Sequence, residues 1–169
     1  MARFRVLPES RVWIAASSSV HPIRGEASGL EGLVEAELVD GGLDPSASIS
    51  ARIELAVARL RSGNPLYDAA MQRTVQARRF PTITGETSRT TAVAGSSRHH
   101  VLGDLTFHGV TRQAEGDVIV ELTDDETLVI EGEHAFDVRD FGVSPPRILA
   151  LRVHPDVKVR IRVVAERTE

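Results

Sequence analysis

The sequence predicts an all-β protein, an antiparallel sandwich or barrel with one short helix. Apolar and polar residues alternate with period two over many short segments, and turn signals separate these segments. Only one segment has the composition of a helix. The length of 169 residues suits one compact domain, so a single domain over residues 1–169 is expected. Because only 4% of the residues are aromatic, the interior must consist mainly of Val, Leu, Ile and Ala.

The strands follow from the alternation. It is clearest at Ile49–Val57 and Val157–Val163, where every second residue is apolar and the residues between are polar or small. The longest one-sided series runs from Leu128 to Val138 and includes His134. Further strands are predicted at 11–16, 23–38 (with glycines as bends), 82–92, 101–107 and 118–122.

One segment predicts a helix of about ten residues, placed around residues 65–76. Asn64 is a favourable N-cap residue, and Pro65 suits the first helical position because its missing N–H would have no partner there. Good helix formers follow. The helix must end before Phe80, since the residue preceding Pro81 is pushed out of the helical region.

Composition excludes several classes of protein. The chain has no cysteine, which rules out disulfides, thiolate zinc sites, iron–sulfur clusters and a cysteine nucleophile. A net charge of −4 without a basic stripe argues against a nucleic-acid partner. No stretch approaches the roughly 18 apolar residues of a membrane span, so no span is expected. Charged residues interrupt Met1–Ile14, which therefore lacks a signal-peptide core; a cytoplasmic protein is expected, or a periplasmic or secreted one if a leader was removed.

The motif search gives no positive signal for an enzyme. The sequence contains no nucleophile elbow, no phosphate-binding loop and no dinucleotide-binding glycine pattern. None of the six histidines has metal-site spacing, and His99 and His100 must face opposite sides of a strand. No metal, no other cofactor and no catalytic residue is therefore assigned. The parity of His134 places it among apolar residues, where it is interpreted as a core histidine with a satisfied polar partner.

Four segments in order resemble the YceI-like family. Ser17–His21 with Gly25, Gly29 and Gly32 is similar to the opening strand of the family, and 64–84 is similar to its helix and following strand, with Phe80 in the aromatic place. The hairpin Val101–Thr111 contains all the family's Gly, Leu, Thr and Val positions, and Arg139–Val143 matches the segment before the last strands.

The resemblance implies an eight-stranded antiparallel, lipocalin-like barrel that holds a long apolar chain such as an isoprenoid, a quinone tail or another lipid. It implies binding without catalysis, and it makes a homodimer plausible. The alternation of inward and outward positions, together with the matched segments, predicts which residues line the cavity. These are Trp13, Phe80, Leu105, Phe107, Ile130, His134, Phe136, Phe141, Val159 and Ile161. Arg139 is assigned as a candidate contact for an anionic head group at the cavity mouth, although a structural ion pair with Asp140 and a bend at Gly142 explain the same residues.

Two alternatives are also compatible with the sequence. One is an interaction or stress scaffold whose barrel is filled by its own side chains. The other is an enzyme that uses His134 or a histidine-bound metal. An interior made of aliphatic side chains suits a smooth tunnel for a hydrocarbon chain and equally suits a well-filled core, so the question is whether the barrel is open or filled.

Overall fold

The computed structural model describes residues 1–168, which form mainly strands. The part of the chain it describes has one α-helix, α1 (Pro65–Thr74), and two 3-10 helices, Val57–Arg59 and Val138–Phe141. The strands are β1 (Ala2–Val6), β2 (Arg11–Ser18), β3 (Ile23–Ala27), β4 (Glu31–Ala36), β5 (Leu38–Val39), β6 (Gly42–Leu43), β7 (Ser50–Ala56), β8 (Thr82–Ala92), β9 (Arg98–Phe107), β10 (Val110–Thr123), β11 (Thr127–Asp137), β12 (Arg147–Ile148) and β13 (Leu151–Thr168).

Eight strands close into an antiparallel barrel. They follow the order β1-β4-β7-β8-β9-β10-β11-β13, and β13 pairs back with β1. The predicted eight-stranded, lipocalin-like barrel is therefore confirmed. Eight strands enclose an interior wide enough for packed side chains or for one slim ligand.

The strand β13 organises the closure because, besides its short hairpin with β12, it is long enough to pair with three other strands. On one side it pairs with β11, and on the other side with β1 near its end and with β2 over its first part. The residues between β1 and β2 are held by Ser10, whose buried hydroxyl donates to the Val164 carbonyl and accepts from the Val164 N–H at 2.9 Å. The pairs β1–β4 and β2–β3 therefore act as one bent hairpin, with Gly29 at φ 77° in the bend.

One end of the barrel is closed by a packed core. Phe4, Val34, Leu128 and Ala165 are at most 1% exposed and pack together there with other apolar residues of β1, β4, β7 and β10. Burying a Phe or Leu side chain stabilises a protein by about 1.5–3 kcal/mol. This end of the barrel is filled and leaves no room for a ligand.

Helix α1 lies at the other end. Its N-cap is Asn64, as predicted, and the side chain of Asn64 accepts hydrogen bonds from the N–H groups of Leu66 and Tyr67. The helix ends at Thr74, two residues before the predicted end, because the chain turns through Gln76 at φ 52°. Its buried Ala70 belongs to a cluster with Ile148 and Leu151. No helix within residues 1–168 has the length and apolar content needed to cross a bilayer.

Several strands begin earlier than the sequence pattern indicates. β1 was not predicted, although Ala2, Phe4 and Val6 alternate with exposed residues and are all buried. β10 begins at Val110 instead of residue 118, and β13 at Leu151 instead of residue 157. In both added segments the apolar alternation is weak, because they line openings or edges of the barrel instead of its packed core.

Candidate functional site

The barrel contains a cavity of about 560 Å³ that runs from the packed end toward helix α1. Its wall is made mostly of aliphatic side chains that are only partly buried, because they face empty space instead of other side chains. Among the residues predicted from the sequence, the wall includes Leu105, Phe107, Ile130, His134, Phe136, Phe141, Val159 and Ile161. The geometry is that of an open barrel with room for a slim apolar ligand.

Three of the predicted site residues lie elsewhere. Trp13 is on the outer face of β2, since its neighbours Val12 and Ile14 face the cavity. The Arg160 guanidinium lies over its indole at 4.2 Å from the ring centroid, which is a cation–π contact on the barrel surface. The prediction that Trp13 lines the cavity is wrong, because Val12 and Ile14 take the inward positions of β2 and the alternation then turns Trp13 outward.

Phe80 also lies outside the cavity. It follows α1 and packs against the turn between β9 and β10, with the His108 ring at 4.7 Å in an edge-to-face arrangement. Gly109 in this turn has φ 72°, and a Cβ atom there would lie 2.6 Å from Phe80. The aromatic ring and the glycine fit each other, so Phe80 holds the hairpin in place and does not line the cavity.

Arg139 is not on the cavity wall either. It lies in the 3-10 helix Val138–Phe141, and its guanidinium donates to both carboxylate oxygens of Asp137, at 2.7 Å for the closest pair. This hydrogen bond lowers the pKa of Asp137 below its ordinary value and raises the pKa of Arg139. The expected ion pair therefore exists with Asp137 instead of Asp140, and the expected bend is at Gly142, with φ 73°. Arg139 is therefore exposed, paired with Asp137 and outside the cavity wall.

A side opening interrupts the barrel wall between β10 and β11. The two strands pair only from Val118–Gly132 to Thr123–Thr127. Beyond that point residues 110–117 pair with β9 alone, and residues 133–137 pair with β13 alone. The opening ends where the Arg112 guanidinium donates to the Asp140 carbonyl at 2.9 Å. Since residues on both edges of this opening also line the cavity, the opening connects the cavity with solvent.

His134 stands in the side opening. Its ring packs on Phe136 at 4.6 Å and reaches across to Gly116, whose missing side chain leaves space for it. The side chain is exposed and makes no hydrogen bond to another residue among residues 1–168. The interpretation of His134 as a satisfied core histidine is therefore wrong. The alternation of residues along β11 places His134 correctly on the inner face, but the barrel wall is open at that point.

The edges of the side opening carry negative charge. Glu115 and Asp117 lie on β10 and Glu133 lies on β11; we call these three residues the carboxylate rim. Their partners come from the neighbouring strands β9 and β13: His100 bonds to Asp117 at 2.9 Å and to Glu115 at 3.2 Å, Arg98 pairs with Asp117 at 3.6 Å, and Lys158 pairs with Glu133 at 3.3 Å. Like charges on facing edges favour separation of the two strands. These pairs also take up the cations Arg98, His100 and Lys158.

The two adjacent histidines face opposite sides of β9, as their alternation requires. His99 is buried, lines the cavity and donates from Nδ1 to the Ser97 carbonyl at 3.3 Å. His100 is on the outer face, where its hydrogen bonds to Asp117 and then Glu115 raise its pKa. Within residues 1–168 no three His, Asp or Glu side chains are grouped as a metal site requires.

Part of the cavity wall is not predicted from the sequence. Val12 and Ile14 follow from the alternation in β2 when Trp13 is placed on the outer face. Met71 and Tyr67 of α1 close the far end of the cavity, which only the packing of the helix shows. A weak signal for the side opening is the loss of apolar alternation over residues 111–117, because an unpaired edge does not need an apolar inner face.

Comparison with known proteins agrees with this architecture. A family model described as the YceI-like domain matches residues 9–165. A search of curated protein sequences gives no match. The fold is similar to that of Burkholderia cenocepacia BcnA, with 19% identity, a TM-score of 0.75, and 92% of this chain and 96% of that chain covered.

Two further solved structures share the fold. A polyisoprenoid binding domain from Saccharophagus degradans, implicated in plant cell wall breakdown, has 13% identity and a TM-score of 0.76, with 98% of each chain covered. The Campylobacter jejuni YCEI protein has 16% identity and a TM-score of 0.68, with 87% of this chain and 86% of that chain covered. With the family model matching nearly the whole chain, this protein belongs to the YceI-like family.

Proposed function

We propose that the protein binds a long, slim apolar molecule, such as an isoprenoid, a quinone tail or another lipid, inside the barrel. The observation that carries the proposal is the cavity of about 560 Å³ with aliphatic walls. Each methylene group that moves from water into such a cavity gains about 0.8 kcal/mol, so a hydrocarbon chain binds without many polar contacts. The Saccharophagus degradans domain with the same fold is a polyisoprenoid binding domain, which supports this ligand class.

We further propose that the polar end of the ligand is uncharged and lies at the side opening beside His134. The exposed imidazole can donate or accept one hydrogen bond there. The carboxylate rim already pairs with Arg98, His100 and Lys158, so these cations are not available to a phosphate or carboxylate end group. An alcohol or a quinone carbonyl suits these surroundings, whereas a polyprenyl phosphate does not.

Calorimetry with matched ligands tests both parts. We expect geranylgeraniol to bind at one site per chain and geranylgeranyl phosphate to bind at least about tenfold more weakly, a difference of about 1.4 kcal/mol. His134→Ala is expected to weaken binding of the alcohol by up to about tenfold, the value of one hydrogen bond. His100→Ala on the outer face is the matched control and should leave binding of the alcohol unchanged. Tighter binding of the phosphate would overturn the position of the polar end, and no binding of either ligand would overturn the ligand class.

The role of a carrier or sequestering protein follows from this site. The cavity wall offers a ligand mainly apolar contacts, and within residues 1–168 no three His, Asp or Glu side chains are grouped to hold a metal. We therefore propose reversible binding rather than chemical conversion. Recovery of the ligand unchanged after incubation and extraction, checked by mass spectrometry, is the expected result, and a modified product would contradict it.

A further inference from the structure

A short hairpin at the α1 end of the barrel exposes an apolar side chain between two arginines. This tip hairpin, residues 147–152, joins β12 to β13. Leu149 at its turn is 84% exposed, more than any other large apolar side chain of residues 1–168. Its φ is 55°, a conformation for which turns normally use Gly, Asn or Asp. A leucine at this position gains nothing for the turn itself, which points to a role outside the folded chain.

The charges of the tip hairpin are also uncompensated. Arg147 and Arg152 lie directly opposite each other across the hairpin, an arrangement that like charges disfavour. Both are exposed, and within the described chain no carboxylate lies within 4 Å of either guanidinium. The protein as a whole carries a net charge of −4, so this pair is a local basic site on an acidic protein.

Neighbouring segments extend the apolar surface. The Ser19 N–H donates to the Arg152 carbonyl and its hydroxyl accepts from the Arg152 N–H, both at 2.9 Å, which places Val20 beside the hairpin. Val20 is 68% exposed. Leu66, near the start of α1, is 48% exposed, and the same helix contacts the loop after β2 through a hydrogen bond of 3.1 Å between Tyr67 and His21.

From these observations we propose that the tip hairpin docks the protein on a membrane surface that contains anionic phospholipid. Leu149, with Val20 and Leu66, enters the boundary between head groups and acyl chains, and Arg147 and Arg152 contact lipid phosphates. The neighbouring residues Pro146 and Ile148 line the cavity, so docking brings the α1 end of the barrel against the lipid. The proposal concerns the surface of the protein and stands independently of which molecule the cavity binds.

Vesicle sedimentation with the ligand-free full chain tests the proposal. We expect binding to vesicles of equal parts phosphatidylglycerol and phosphatidylcholine, and at least about tenfold weaker binding to phosphatidylcholine alone. Leu149→Asn should reduce the partition coefficient by about tenfold. Because Asn tolerates positive φ, this variant should fold normally. Arg147→Gln with Arg152→Gln should cause a loss of about tenfold or more.

Matched controls separate this surface from general charge effects and from the cavity. Arg5→Gln with Arg89→Gln removes two exposed arginines without carboxylate partners among the described residues, on strands away from the tip hairpin, and should leave vesicle binding unchanged. Val39→Asn, at the packed end, is the control for Leu149→Asn. Equal losses in the test and control variants would overturn the proposal, as would no binding to anionic vesicles. A concentration-dependent dimer that Leu149→Asn abolishes, without vesicle binding, would assign the surface to a second copy of the chain and also overturn it.

Discussion

Substitution of Val159 by Phe tests whether the barrel interior is open. Val159 lies at the centre of β13, between His134 on β11 and Ile14 on β2, and its side chain faces the cavity. Phe has four more side-chain carbon atoms than Val. In an open cavity these atoms occupy space that the ligand would use, and they displace about four methylene groups. At about 0.8 kcal/mol each, the loss in binding free energy is about 3 kcal/mol, or more than a hundredfold in Kd.

The same variant gives an independent readout through stability. In an open cavity the added ring meets few atoms, so the free energy of unfolding should stay within about 1 kcal/mol of wild type. In a filled core the extra carbons would force side chains aside at a cost of about 1–3 kcal/mol. Urea denaturation measures the stability and calorimetry with geranylgeraniol measures the affinity.

Lys158→Phe is the matched control because it places the same side chain on the outer face of the same strand. It removes only the exposed ion pair with Glu133, which is worth about 0–1 kcal/mol. Its ligand affinity should equal that of the wild type. If Val159→Phe binds geranylgeraniol as tightly as Lys158→Phe does, the ligand does not occupy the centre of the cavity, which would contradict the proposed binding site.

Three further predictions concern the stability of the fold around the cavity. Gly109→Ala should lower the free energy of unfolding by about 1–2 kcal/mol, since φ is 72° and the new Cβ meets Phe80; an unchanged urea midpoint would show that the turn relaxes. Asn64→Ala should cost about 1 kcal/mol in thermal or urea unfolding, because it removes the cap of α1, and Asn64→Ser should restore most of the loss. His100 has a raised pKa in the folded protein, so its hydrogen bonds to Asp117 and Glu115 stabilise the fold fully below the ordinary histidine pKa of about 6.5, and this contribution is lost as the pH rises through the raised value. The stability difference between wild type and His100→Gln should therefore be larger at about pH 5 than at about pH 9, and an equal difference at both would contradict the assignment.

Much of the barrel could be predicted because a strand with one buried face shows alternating apolar and polar residues in the sequence. The series from Leu128 to Val138 and the alternation in 157–163 place inner and outer faces correctly. The N-cap Asn64 and Pro65 locate α1 by local chemistry alone. In each of these features, the type of residue depends only on the burial or helix position of that residue itself.

The parts that could not be predicted depend on pairing between distant segments. Parity places His134 on the inner face, but only the register of β10 against β11 shows that the wall is open there. Trp13 is predicted to line the cavity, but Val12 and Ile14 on either side of it fill the inner positions of β2 and leave Trp13 on the outer face. Arg139 could be given a partner from sequence but not the right one, since Asp137 and Asp140 are both within reach and the 3-10 helix decides between them.

A crystal structure of the protein with geranylgeraniol tests the open, ligand-binding barrel most directly. We expect continuous elongated density along Leu105, Ile130 and Val159, with the alcohol oxygen within hydrogen-bonding distance of His134 at the side opening. An interior closed by the protein's own side chains, with the alcohol absent or bound only on the outer surface, would contradict it.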